Sequence, residues 1–224
     1  MNLQLCIPYR PCPFHCPMCI AAHGNRYENL YAKDEKKYFK CLKKALDKTD
    51  GCVVLTGDTE PTLDRVWLEK VINFIKGYKD HKIEIQTHNY NLHKGYDFLN
   101  KVDVVAYSFT TRQDLTKLEK VKLFDSCINR CVLLTTIPVI KQLKEHFPIV
   151  WYIDRHFQQI TIKLLQQGNG VEQNKYVGIY NVQKHQCQHI FDENDGRLWI
   201  DEDCQNSKHR YRVFREDEKL YKHW

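Results

Sequence analysis

Short apolar runs recur along this 224-residue chain, and segments with helical periodicity separate them. The runs are 3–7, 52–56, 82–87, 102–108, 131–136 and 159–164, rich in Val, Ile and Leu and short enough for strands. Between them, 34–48 carries Tyr38, Phe39, Leu42, Ala45 and Leu46 at helical spacing with lysines on the other face. The stretch 62–77 places Val66, Trp67, Val71, Phe74 and Ile75 inward, with Gly77 as a stop. Further helices are predicted near 93–100, 113–124 and 138–145, and a short extra strand at 149–151. Parallel strands need long crossovers and helices supply them, so this alternation predicts an α/β fold with a parallel sheet. Roughly six such units in order predict a partial (β/α)6 TIM-like barrel.

The pattern changes near the turn Gln167-Gly168-Asn169-Gly170. We therefore divide the chain into a core, 1–167, and an extension, 168–224. The extension reads as a C-terminal β-ribbon with strands at 197–200 and 210–214, and 219–224 pairs back or caps the barrel. Arg210, Tyr211, Arg212, Phe214 and Arg215 suit a lid over a phosphate or a base, while Cys187, His189 and Cys204 offer a second metal site. A plain ribbon with one polar face explains the same residues.

Composition narrows the class. The net charge of +6 permits a phosphate-bearing ligand without demanding one, so nucleic acid is not favoured. No run reaches the eighteen or so apolar residues of a membrane span, and no secretory leader opens the chain. Ten cysteines in a chain of this size fit reduced thiols in a cytoplasmic protein better than a disulfide scaffold. Cys52, Cys127 and Cys131 read as buried apolar residues.

Three other cysteines follow the first strand directly. Cys12, Cys16 and Cys19 stand in the spacing C-x3-C-x2-C. Thiolates select iron–sulfur clusters and zinc. Structural zinc takes four closed ligands, usually as two separated pairs. A tight trio fits a 4Fe–4S cubane better, with one iron left open to a small molecule. The other reading is a zinc knuckle using His15, a non-enzymatic interaction module. A second motif, Thr56-Gly57-Asp58-Thr59-Glu60-Pro61, follows the second apolar run. It also reads as a strand-to-helix turn with Pro61 at the helix start.

Together these motifs resemble the radical S-adenosylmethionine (AdoMet) enzymes. In that family the C-x3-C-x2-C loop follows the first strand, and a Gly-Gly-Glu-Pro segment ends the second. The resemblance implies that Cys12, Cys16 and Cys19 hold a 4Fe–4S cluster whose open iron chelates AdoMet. It implies reductive cleavage of AdoMet to a 5′-deoxyadenosyl radical, which abstracts hydrogen from substrate. Gly57, Asp58, Thr59 and Glu60 would hold the AdoMet ammonium, which wants acceptors and a negative charge. This sequence has Asp58-Thr59 where a single Gly is usual. Met18 stands where an aromatic residue commonly packs near the adenine, and its polarizable thioether can cover a ring face. Asn89 is a candidate for ribose or substrate, and Ser108 for ribose or the AdoMet carboxylate. Lys163 either points into the barrel mouth toward a carboxylate or snorkels from a strand end. No catalytic residue is assigned.

The expected substrate is a small molecule or a nucleoside or nucleotide, with flavodoxin or ferredoxin as electron donor. An activase that installs a glycyl radical on a partner protein is the alternative enzyme.

Overall fold

The computed structural model describes residues 1–7, 12–14, 34–56, 60–92, 94–134, 147–163, 198–201, 211–215 and 217–222. The strands are β1 (Asn2–Cys6), β2 (Val53–Thr56), β3 (Ile83–Thr87), β4 (Val104–Phe109), β5 (Ile128–Leu134), β6 (Gln159–Lys163), β7 (Leu198–Asp201), β8 (Tyr211–Phe214) and β9 (Leu220–Tyr221). They form one sheet in the order β7-β6-β5-β4-β3-β2-β1-β8-β9, parallel throughout except for the β8–β9 pair. Strands β1 to β6 lie side by side in chain order, as a singly wound barrel wall requires. The fold is α/β, a partial TIM-like barrel.

Four α-helices are described: α1 (Glu35–Asp47), α2 (Arg65–Tyr78), α3 (Arg112–Leu115) and α4 (Phe147–His156). Asp34 caps α1 by accepting from the Lys37 N–H at 3.1 Å, and Asp64 caps α2 by accepting from the Trp67 N–H at 3.0 Å. Both helices bury one stripe: Tyr38, Leu42 and Leu46 of α1, and Leu68, Ile72 and Ile75 of α2, are fully buried. They meet one side of the sheet, where Leu3, Leu5, Val53, Leu55, Ile83, Ile85, Val105 and Leu133 are also fully buried. Each such aliphatic side chain contributes about 1.5–3 kcal/mol of burial. Val66, expected inward, is 59% exposed; the buried stripe runs one position later, through Trp67, Leu68, Val71 and Ile72.

The opposite side of the strands is different in kind. Register aligns Val54 with Glu84, Glu84 with Val104, Ala106 with Arg130, Arg130 with Gln159 and Val132 with Thr161. Paired residues of parallel strands share a face. This face therefore carries Glu84 and Gln86 of β3, Arg130 of β5, and Gln159 and Thr161 of β6. Arg130 Nη1 donates to Glu84 Oε2 at 2.7 Å, and both side chains are only 11% exposed. Arg130 Nε donates to Gln159 Oε1 and Gln86 Nε2 to Glu84 Oε1, each at 2.9 Å. Breaking a pair this desolvated strands a charge. Arg130→Met is thus expected to cost about 3–5 kcal/mol in urea unfolding, with much of it recovered in Arg130→Met/Glu84→Met. A single variant as stable as the parent would contradict this account.

Four further expectations are corrected. The segment 149–151 is not a strand but part of α4. Pro148 is tolerated in its first turn, Ile153 is fully buried, and the Tyr152 and His156 rings meet at a tilt one turn apart, 4.2 Å between centroids. A helix there also supplies the crossover from β5 to β6. The predicted helix 113–124 is a single turn, α3, followed by a 3-10 turn at Leu118–Lys120. It stops because Asn129 captures the backbone of Phe124 on both sides: Oδ1 accepts from its N–H and Nδ2 donates to its C=O. Likewise 93–100 yields a 3-10 helix, Asp97–Lys101.

The fourth correction concerns the C-terminal β-ribbon. Its two strands do not pair with each other. β7 adds to β6 and β8 adds to β1, both parallel. An open sheet presents two rows of unpaired backbone groups, and each segment satisfies one of them. The last segment does pair back, as β9 against β8. The predicted helix 138–145 and the Cys187, His189 and Cys204 cluster lie outside the described residues.

Candidate functional site

Both sequence motifs start where a strand ends. β1 ends at Cys6, and the Ile7 N–H still pairs with the Thr56 carbonyl at 2.9 Å, so the chain leaves β1 beside the end of β2. Cys12 follows shortly after, half-buried and outside any disulfide. Cys16, Cys19, Met18, Gly57, Asp58 and Thr59 lie outside the described residues.

Glu60 is the hub of the second motif. It is 5% exposed, and its carboxylate accepts four hydrogen bonds. Oε1 accepts from Thr62 N–H (3.0 Å), Thr62 Oγ1 (2.7 Å) and Thr87 Oγ1 (2.6 Å), while Oε2 accepts from the His88 N–H (2.7 Å). Each carboxylate oxygen has about two lone-pair sites, so three donors share those of Oε1 while Oε2 meets one. Among the described residues, Oε2 therefore keeps room for one more donor. The hub fastens the turn after β2 to the end of β3.

Asn89 belongs to the same network. Its Nδ2 donates to Thr62 Oγ1 at 3.1 Å, its N–H donates to Thr87 Oγ1 at 3.0 Å, and its Oδ1 accepts from the Asn91 N–H at 3.0 Å. Ser108 sits on the polar face of β4 near its carboxyl end, and its carbonyl accepts from the Tyr90 hydroxyl at 2.8 Å. Lys163 is the last residue of β6, in register with Leu134 and Asp201.

Sequence reasoning missed His88 and Asp114. His88 follows β3, and its Nε2 lies 3.3 Å from Asp114 Oδ1; the side chains are 12% and 6% exposed. A carboxylate only accepts, so Nε2 carries the proton. Asp114 Oδ2 accepts from the Thr110 N–H, Thr110 Oγ1 and the Thr111 N–H, at 3.0, 3.0 and 2.9 Å. Thr111 returns the favour by capping the Asp114 N–H at 3.2 Å, a complete capping box. The signal was the run Thr111-Arg112-Gln113-Asp114, which has capping-box spacing.

Burial would raise the Asp114 pKa. The hydrogen bond and charge of His88, with the Thr111 and Thr110 donors, outweigh it and hold the group well below the usual carboxylate range. A pKa lowered on folding gives stability that is complete above the unfolded value of about 3.9 and fades as pH falls toward the folded one. Acid unfolding of Asp114→Asn should therefore show a shallower loss of stability below about pH 4 than the parent. Identical slopes in the two proteins would refute this.

Burial keeps three other described thiols, Cys52, Cys127 and Cys131, in the unreactive protonated form. Burial raises Cys52 and Cys127 to about 11 and pushes fully buried Cys131 well above its usual value. Among the described residues no three His, Cys, Asp or Glu side chains gather as a metal site, and no helix is long and apolar enough to cross a membrane.

No protein-family model matches the chain, and no curated protein matches it in sequence. Solved structures do match its fold. One is native anSMEcpe with bound AdoMet, at TM-score 0.56 and 16% identity, covering 89% of this chain and 63% of that one. Another is the same protein with AdoMet and the Cp18Cys peptide, at TM-score 0.55 and 16% identity with the same coverage. These are anaerobic sulfatase-maturating enzymes of the radical AdoMet class. The chain spans 63% of their length.

Proposed function

We propose that this protein is a radical AdoMet enzyme, with its site at the carboxyl ends of β1 to β4. The observation that carries this reading is the convergence of both motifs on one residue. The His88 N–H donates to Glu60, and the His88 ring meets Phe14 of the cysteine loop at 5.0 Å between centroids. Ligands of barrel folds bind at this end of the strands.

The donor set fits a 4Fe–4S cluster held by Cys12, Cys16 and Cys19: three thiols on one short loop leave one iron open. With AdoMet bound, such a cluster supplies one-electron cleavage to a carbon radical. The chain's own residues do the rest. Glu60 holds negative charge at the loop after β2, and Oε2 offers its remaining acceptor site to the AdoMet ammonium. By the family resemblance, Gly57, Asp58 and Thr59 would add acceptors for that ammonium, and Met18 would cover the adenine. Asn89 and Ser108 would serve the ribose side, and Lys163, at the end of β6, would take an anionic group. The polar wall of Gln86, Glu84, Arg130 and Gln159 below them hydrogen-bonds substrate and fixes it near the reacting carbon.

The substrate we favour is a small molecule or nucleotide, reduced equivalents coming from flavodoxin or ferredoxin. A peptide substrate is the second reading, favoured by the peptide bound to the second structural neighbour. An anaerobically reconstituted sample should be brown, hold about four iron and four sulfide per chain, and form 5′-deoxyadenosine from AdoMet with dithionite. Colourless protein with one zinc would establish the zinc module instead. Transfer of deuterium from labelled peptides or nucleotides into deoxyadenosine separates the two substrate readings.

A further inference from the structure

Phe14 lies between Cys12 and Cys16 in the chain, yet its ring rests on a residue at the end of β3. The contact with His88 is edge-to-face, 5.0 Å between centroids at 60°. The imidazole has little freedom. Asp114 takes its Nε2–H, and Asp114 is itself fixed by Thr110 and Thr111 at the start of α3. Tyr90 flanks the ring on another side, with centroids 5.2 Å apart. The Tyr90 hydroxyl is 3.5 Å from both ring nitrogens, so it lies on neither nitrogen's lone-pair axis, and its proton goes to the Ser108 carbonyl instead. Histidine χ2 is a soft torsion. A ring held at one nitrogen by a buried carboxylate and flanked by Tyr90 becomes a rigid platform.

We propose that the Asp114–His88 pair is the seat of the cysteine loop: Asp114 fixes the imidazole, and the imidazole holds Phe14. The seat sets where Cys12 stands relative to the Glu60 hub, because His88 also anchors that hub through its N–H. His88 is then a positioning residue rather than a catalytic one. The inference rests on the reading above only for what the loop carries.

The test uses the full-length apoprotein and needs no cluster. Cys12 alkylation by iodoacetamide is followed by peptide mapping, with Cys131 as the internal control for folding, since it is fully buried. Removing one side of an aromatic contact should speed Cys12 labelling about threefold to tenfold in Phe14→Ala and in His88→Ala. The double variant should be no faster than either single one, because both remove the same contact. Asp114→Ala should also speed labelling. Asp114→Asn should keep most of the protection, since its oxygen can face the Thr110 and Thr111 donors while its NH2 bonds the other imidazole tautomer. A parental rate in folded His88→Ala or Phe14→Ala overturns the proposal, as do rates that multiply in the double variant. If His88→Ala labels at Cys131 and so fails to fold, Phe14→Ala decides alone. Iron uptake by the parent is measured separately. Failure there with the labelling pattern intact would remove the cluster reading and leave the seat standing.

Discussion

Cys16→Ala is expected to give a folded, colourless protein that no longer forms 5′-deoxyadenosine from AdoMet. Three thiolates are the fewest protein ligands that can hold a cubane and leave one iron open. Alanine supplies no donor, and two thiolates leave two corners to water and oxygen. The described core is built from strand and helix side chains such as Leu3, Leu55, Leu68 and Ile85. Apoprotein stability is expected to move by no more than about 0.5 kcal/mol. Iron analysis, the visible spectrum and product formation each read the loss. Full cleavage by the variant would remove Cys16 from the ligand set and with it the proposed chemistry.

Glu60→Ala should be the most destabilising change at the site. Glu60 gathers donors from Thr62, Thr87 and His88, all aimed at a carboxylate that is 5% exposed. Hydrogen bonds to a charged group are worth about 1.5–3 kcal/mol each, and the orphaned buried donors add their own desolvation penalty. The bonds share one acceptor and do not sum, so about 4–6 kcal/mol is expected in urea unfolding. That is a large part of the stability of an ordinary domain. Glu60→Gln should cost about half as much, because its amide NH2 must face a donor. A change under about 1 kcal/mol in Glu60→Ala would show that the hub is not what fastens β2 to β3. The same variant should lose AdoMet binding if Oε2 receives the ammonium, which equilibrium dialysis against labelled AdoMet would read directly.

Much of the wall was legible because its signals are local. Short apolar runs marked β1 to β6, and Tyr38, Leu42 and Leu46 marked the buried stripe of α1. The failures share one cause. Ile149-Val150-Trp151 has strand composition, yet the need for a crossover and the burial of Ile153 make it helix. The ribbon segments 197–200 and 210–214 read correctly as strands, but a strand's sequence does not name its neighbour. Backbone hydrogen bonds are the same whatever side chains flank them, so the open edges at β6 and β1 could take them.

At the site the division is similar. The cysteine trio and Thr56–Pro61 could be found by spacing, since their residues are neighbours in the chain. His88 and Asp114 could not, because they are far apart in sequence and each has an ordinary local role, a residue past a strand and a capping carboxylate. Sequence alone determined the order of the six core strands, the spacing of the cysteine trio and the acid placed after β2, all of which follow from side-chain chemistry and short-range periodicity. Tertiary structure alone decided that Glu60 ties two strands together, that Arg130 pairs with Glu84 on a polar wall, and that Phe14 rests on an imidazole. Those contacts depend on strand register and on which chain ends meet in space, and neither quantity is written in any single stretch of residues.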